Sequence, residues 1–360
     1  MIHQPIHTVY GGAHLFKSTT CGKLRALAER AFADYAPDAA TLAQVFAIPE
    51  TLAGTVHARV AEKLHRGRVV DDFRIDFEDG FGLRSDSEED AAADNAAREV
   101  TDAVQAGSLS GLSGIRVKSF HTETTKARAL RTLDRFLSNA TLPTNFVVTL
   151  PKITAPGQVS ELVRALQPYP DVRIEIMIET PESVFMLKEL VHAAAGRCIA
   201  AHFGPYDYTA SLGITAANQD LHHPACDFAR SMMLAALADS GVWLVDGPTN
   251  LLPIPPDLHR AWKLHYDNIR HSLYNGFYQS WDLHPAQIPA RLVAVHTFFL
   301  EGLAEGSARL RNFLDQSEQA TRLGAIFDDA ATGRGLVNYF ERAVRCGAIP
   351  ENDVPVKRSS

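Results

Sequence analysis

The chain has little with which to staple or anchor itself. Its four cysteines, Cys21, Cys198, Cys226 and Cys346, stand far apart in 360 residues with no CxxC pair. That argues against a structural zinc knuckle and a disulfide framework, and makes a reducing cytoplasm the expected location. No apolar run approaches the roughly 18 residues needed to span a bilayer. The richest stretch, residues 232–238, meets Asp239 within a turn. The opening MIHQPIHTVY lacks a basic segment followed by a long apolar one, so no export signal is read. Positive charge is also in deficit: 35 Lys plus Arg against 42 Asp plus Glu leave a net charge of −7. This is the wrong sign for bulk attraction to nucleic acid or anionic membrane. Neither GxGxxG nor GxxxxGK[ST] occurs, and Gly11-Gly12 alone is no phosphate loop, so nucleotide cofactors lack support. HExxH is absent, and the adjacent His222 and His223 point apart on any regular element, which disfavours zinc.

What is present is an ordinary globular composition, 46% hydrophobic and 21% charged. The length fits two or three units or one large barrel. No linker, low-complexity tract or internal repeat divides the chain. Short β-branched or aromatic runs alternate with helical spacing, at residues 7–10, 70–77, 114–118, 145–150, 173–178, 199–203, 242–245 and 276–280. Eight such units predict an α/β fold of the TIM (β/α)8 type. Ser85 followed by Glu88 predicts a capping box for a helix with Ala93, Ala96, Ala97, Val100, Ala103 and Val104 on its apolar face. Thr180-Pro181 predicts one helix running to Ala194. The barrel is expected over 1–288, with a helical insertion at about 15–68 covering one end. A helical extension over 289–360 is expected to pack on the barrel or on a neighbouring subunit.

In such a barrel, catalytic groups sit at the C-terminal ends of the strands. Here those ends read RIDFEDG, GIRVK, LPK, IEIMIET, FGPYD and VDG, nearly all charged. Residues two apart share a strand face, which pairs Asp76 with Glu78, Arg116 with Lys118, and Glu175 with Glu179. Glu78, Arg116, Lys152 and Glu179 would form a mixed-sign interior cluster, while the deeper Asp76 and Glu175 are expected as internal ion-pair partners. Glu179 and Asp207 stand one βα unit apart and can reach one point. Two carboxylates with water and a chelating substrate suit Mg²⁺, the bland alternatives being a helix-capping Glu179 and a turn-forming Asp207. His284, in WDLHP, is placed either for the mouth or as a structural loop histidine.

In their order, DFEDGFGLRSDSEEDAAADNAAREV, GIRVKSF, TLPKI, IEIMIETPESV, HFGPYDYTASLGI, VDGP and WDLHPAQI resemble the HpcH/HpaI aldolase and citrate lyase β-subunit family. The likeness covers about residues 70–288, with HTVYGGAHLF resembling the opening strand. It implies a TIM barrel that binds Mg²⁺, or Mn²⁺ in its place, and makes or breaks a carbon–carbon bond through an enolate. It further implies Glu179 and Asp207 as metal ligands and Arg116 as the group holding the substrate carboxylate or carbonyl oxygen. Glu78 and Asp79 become the acidic pair behind the metal waters and that arginine, with Lys152 in support. Gly204, Pro205, Asp246 and His284 are the further substrate contacts. A divalent cation beside a guanidinium suits such chemistry, since both stabilise a developing oxyanion in a water-poor mouth.

The family opening places basic residues before an FVPG-type strand end, whereas His7–Gly12 contains no arginine. This weighs against a coenzyme A thioester substrate. The general base stays open among His14, His284, Glu78 and a metal-bound hydroxide. The resulting expectation is a cytoplasmic, homo-oligomeric carbon–carbon lyase acting on a 2-oxo acid, hydroxy acid or acyl-coenzyme A. Its partners would be small molecules, neither nucleic acid nor membrane. The rivals are a phosphoenolpyruvate-type phosphotransfer or hydrolysis enzyme and a non-catalytic 2-oxo-acid-binding regulatory protein.

Overall fold

The structure, a computed structural model, describes residues 3–315, 321–323 and 326–355. Strand β1 (His7–Gly12) leads into three helices, α1 (Thr20–Tyr35), α2 (Ala39–Phe46) and α3 (Glu50–Arg66). Strand and helix then alternate: β2 (Asp72–Asp76), α4 (Asp86–Ala106), β3 (Leu112–Arg116), α5 (Glu123–Asn139), β4 (Val147–Leu150) and α6 (Pro156–Ala165). β5 (Arg173–Ile178) is followed by two short helices, α7 (Pro181–Phe185) and α8 (Leu187–Ala193). Next come β6 (Cys198–Phe203), α9 (Pro205–Ser211), α10 (Pro224–Leu237), β7 (Trp243–Asp246), α11 (Leu258–Tyr274), β8 (Gln279–Asp282) and α12 (Ile288–Glu301). The chain finishes with α13 (Leu303–Asp315), the antiparallel pair β9 (Thr321–Leu323) and β10 (Ile326–Asp328), and α14 (Ala330–Arg345). The first eight strands pair in parallel in chain order, and β8 closes on β1 with Val9 opposite Asp282. The expected eight-stranded barrel is present, with strand ends shifted by a few residues.

Local chemistry accounts for the elements that aim the site. The Ser85 side chain accepts the Glu88 N–H at 3.3 Å and the Glu88 carboxylate accepts the Ser85 N–H at 2.9 Å, the capping box foreseen for α4. The single helix expected after Thr180 is instead broken. At Met186 (φ −114°, ψ 24°) the N–H turns to the Ser183 carbonyl, tightening the last turn of α7 and ending it before α8 begins.

The insertion lies beside the barrel rather than across its end. α3 packs along α12, α2 along α11, and Phe46 stacks on Trp262 with ring centroids 5.8 Å apart. The buried face of α3, with Val56, Val60 and Leu64, finds its apolar partner in the helix layer, so α3 takes the place of the first crossover helix. α12 is buried nearly all round and completes the eighth βα unit. The extension therefore begins after Glu301, not at 289.

The barrel interior is polar. Alternation sends Phe73 and Ile75 outward to the helices and Asp72, Arg74 and Asp76 inward. Arg74 pairs with Asp72 and, at 3.4 Å, with Glu175. Thr149 takes the Arg74 Nε–H at 3.0 Å and donates to Glu175 at 2.7 Å. Thr8 joins this layer through Asp72 and Gln279. Buried charges persist only when paired and hydrogen-bonded, and here Asp72 and Glu175 share Arg74, the first along β2 and the second from β5.

Candidate active site

Above that layer Arg116, at the end of β3, is 1% exposed and grips Asp76 with both arms, Nε at 2.7 Å and Nη2 at 2.6 Å. Its Nη1 faces upward to Glu78 at 3.5 Å and Asp79 at 3.4 Å. The guanidinium is also stacked over Tyr10 and Trp281, 5.0 Å and 5.4 Å from the ring centres. Aromatic faces and a bidentate carboxylate fix the plane of the guanidinium.

Four strand ends meet at the rim. Lys152 follows β4 in a left-handed conformation (φ 51°), a costly geometry for a side-chain-bearing residue. That turn aims its N–H at Glu179 Oε1, 2.6 Å away, while its Nζ reaches Glu78 at 2.5 Å and Asp79 at 3.0 Å. Glu179 follows β5 and is 1% exposed. Among the described residues no donor reaches its second oxygen, which lies where a side chain on Gly204 would collide at 2.5 Å. Burial, and then the Asp207 charge, push the Glu179 carboxyl up to about 8. Burial raises Asp207 too. The Asp79 N–H donates to Glu78 Oε2 at 3.0 Å. Glu78, the more buried, is pushed up by burial to about 7, while Asp79 falls to about 2, held down by the Glu78 carboxyl beside it and by the Arg116 and Lys152 charges. Glu179, Asp207, Lys152 and the loop residues Ser119 and His121 line a cavity of about 390 Å³.

Among the described residues, Asp76, Glu78, Asp79, Glu179 and Asp207 thus face only Arg116 and Lys152, an excess of carboxylates that a divalent cation would offset. Among the described residues no group of three or more His, Cys, Asp and Glu side chains forms a metal cage. Glu179 and Asp207 are the two carboxylates that could hold such a cation, with water and substrate filling the remaining positions, an arrangement that suits Mg²⁺.

Other residues fall elsewhere. Asp246 points outward, where it accepts from Arg230 at 2.8 Å, Ser272 at 2.5 Å and the Gly247 N–H at 2.8 Å. Alternation along β7 turns it into the strand–helix layer, away from the mouth. Pro205 is buried against Gly247 and opens α9, and Gly204 leaves space for Glu179. His284 accepts the Ala286 N–H at 3.2 Å and caps the turn after β8. Lys118 parts from Arg116 because β3 ends at Arg116; its Nζ turns to the Phe77 carbonyl and Glu89. His14 is exposed and packs on Phe81. Asp76 and Glu175 are the internal ion-pair partners expected. Reasoning from sequence missed Tyr10 and Trp281 beneath Arg116 and His202 beside them, Tyr10 bonding Glu175 at 2.9 Å and His202 at 3.2 Å. Their inward register on β1, β6 and β8 was the available signal.

Fold and site together define a (β/α)8 barrel with an acid-rich, arginine-floored mouth. The chain belongs to the family described as domain of unknown function (DUF6986), whose model matches residues 1–359. A comparison with curated proteins found no match. Among solved structures, a citrate lyase from Burkholderia xenovorans LB400 aligns with TM-score 0.68 at 18% identity, covering 98% of this chain and 96% of that one. CitE from Mycobacterium tuberculosis, in complex with magnesium, acetoacetate and coenzyme A, aligns with TM-score 0.60 at 18% identity over 94% and 97%. Haloferax volcanii malate synthase, a lead(II) complex, aligns with TM-score 0.53 at 14% identity over 81% and 74%. At such identities the likeness establishes the fold, the same barrel that the motif resemblance implied.

Proposed function

We propose that the chain is an Mg²⁺-dependent carbon–carbon lyase that cleaves or forms a bond next to a carbonyl through an enolate, on a 2-oxo acid or hydroxy acid. The observation that carries this reading is Glu179, a buried carboxylate with one unpaired oxygen, set in a cavity with Asp207 and near the Arg116 fork. Bound there, Mg²⁺ would act as a Lewis acid on a substrate oxygen. Arg116 would hold the developing negative oxygen, its plane already set by Asp76, Tyr10 and Trp281. Glu78, titrating near 7, is the group suited to take and return a proton, with Lys152 and Asp79 keeping it oriented. The magnesium and acetoacetate named for the CitE complex accord with this reading. An acyl-coenzyme A substrate is the less supported variant, since β1 offers no arginine to its phosphates.

Titration calorimetry tests the proposal: metal-free protein with Mg²⁺, then pyruvate, oxaloacetate and acetyl-coenzyme A with and without Mg²⁺, alongside Glu179→Gln. The expected result is 2-oxo-acid binding that needs the metal and disappears in the variant, followed by carbon–carbon cleavage in product analysis. A variant with full metal affinity, or wild-type protein that binds no metal, overturns it.

A further inference from the structure

A second concavity lies on the outer wall of the barrel, among α3, α12 and the turn that follows α14. It encloses about 640 Å³. Arg59, Lys63 and Arg66 from α3, His296 from α12 and Arg345 from α14 line it, with Glu62 as the single carboxylate in the wall. In a chain of net charge −7, composition does not produce such a local excess of cations. Two of the four carry long ion pairs, Lys63 with Asp71 at 3.8 Å and Arg345 with Glu341, one turn back on its helix, at 3.6 Å. Among the described residues, Arg59 and Arg66 make no ion pair.

Independently of charge, two buried polar atoms here lack a hydrogen-bond partner, Arg59 Nη1 and His296 Nδ1. His296 is 3% exposed and lines the cavity. Burial, then Arg59 and Lys63, push its imidazole down to about 4, so the ring is neutral. Neither atom has a protein partner among the described residues, so the wall of the cavity holds hydrogen-bonding capacity that the fold itself does not use. Arginine forks match phosphate oxygens two at a time, and a wall with three arginines and one lysine selects a multiply charged, compact anion over a single carboxylate. The volume leaves room for an organic moiety beyond one phosphate.

We propose that this cavity is a binding site for a small phosphorylated metabolite, held through its phosphate or diphosphate group by Arg59, Lys63, Arg66 and Arg345, with His296 in its wall. The site is separate from the barrel mouth and stands whether or not the lyase reading holds.

The test is calorimetry of the metal-free full-length chain with inorganic phosphate, pyrophosphate and citrate, repeated with Arg66→Ala/Arg345→Ala and with Glu179→Gln. Arg66 and Arg345 are exposed, so their removal leaves the core intact. Pyrophosphate is expected to bind once per chain and more tightly than citrate, to weaken as NaCl rises, and to lose at least about tenfold in affinity in the double variant. In Glu179→Gln its affinity is expected to be unchanged. A rise in melting temperature with pyrophosphate, seen in wild type and absent in the double variant, is the second readout. No saturable pyrophosphate binding, equal affinity in the double variant, citrate binding as tightly, or loss in Glu179→Gln each overturn the proposal.

Discussion

Arg116 owes its fixed orientation to the carboxylates and rings around it, and that makes it sensitive to a change that keeps its charge. Lysine cannot reproduce the two-armed grip on Asp76. Arg116→Lys is expected to lower kcat/KM on the 2-oxo acid by about ten- to a hundredfold, the cost of losing one or two charge-assisted hydrogen bonds. An unchanged kcat/KM would contradict its role. Gly204→Ala would drive a methyl group into Glu179, so Mg²⁺ affinity measured by calorimetry should fall sharply while the far-ultraviolet circular dichroism stays native. Motif order made Glu78, Asp79, Arg116, Lys152, Glu179 and Asp207 legible as one cluster. Asp246 was misread because VDG looks alike whether its carboxylate faces the mouth or the helices. One step of strand register decides between the two.

Among elements, α4 was the most readable, because a capping box and an apolar stripe are local signals. Ser85→Ala should cost about 1 kcal/mol in urea unfolding with an unchanged slope, as expected when a cap is lost and the core is not. The break between α7 and α8 was not readable, because Thr180, Pro181 and the following apolar spacing suit a continuous helix. Only the turn of the Met186 N–H to Ser183 ends α7. β8 held a further surprise in Asp282, which accepts from His7 at 2.6 Å, His265 at 2.8 Å and the Arg291 guanidinium at 2.7–2.9 Å. It fastens β8 to β1, α11 and α12 where the barrel closes. Asp282→Ala is expected to destabilise by about 3–5 kcal/mol, read as a fall in the urea midpoint, because it strands a buried guanidinium.

For the molecule as a whole, the buried carboxyls act in opposite directions on stability. Glu179 and Glu78 have folded values raised to about 8 and about 7 from an ordinary 4.5, so the fold holds protons that the unfolded chain releases. Their contribution is complete below about 4.5 and is lost as pH rises through 7 and 8. Asp282 and Glu175 are held far below the usual range, Asp282 chiefly by Arg291 and Glu175 by Arg74, so their contribution is lost as pH falls. The metal-free melting temperature should therefore peak near pH 5–6 and decline toward pH 8. Mg²⁺, which takes deprotonated ligands, should restore stability in that upper range and release protons on binding at pH 6.5. A melting temperature that climbs steadily from pH 6 to 8 without metal would contradict the burial of Glu179.

By itself the sequence determined the count and order of the barrel strands, the barrel they close and the charges at their C-terminal ends, but not the β9–β10 pair in the extension it read as helical. Those are consequences of local periodicity and of residues adjacent in the chain. Only the tertiary structure decided which of those charges meet, how deep each lies, and that the insertion flanks the barrel instead of covering it. It also decided that cations from α3 and α14 surround one buried histidine. These depend on strand register and on helix faces brought together from distant parts of the chain, where burial and the nearness of other charges decide what each side chain does.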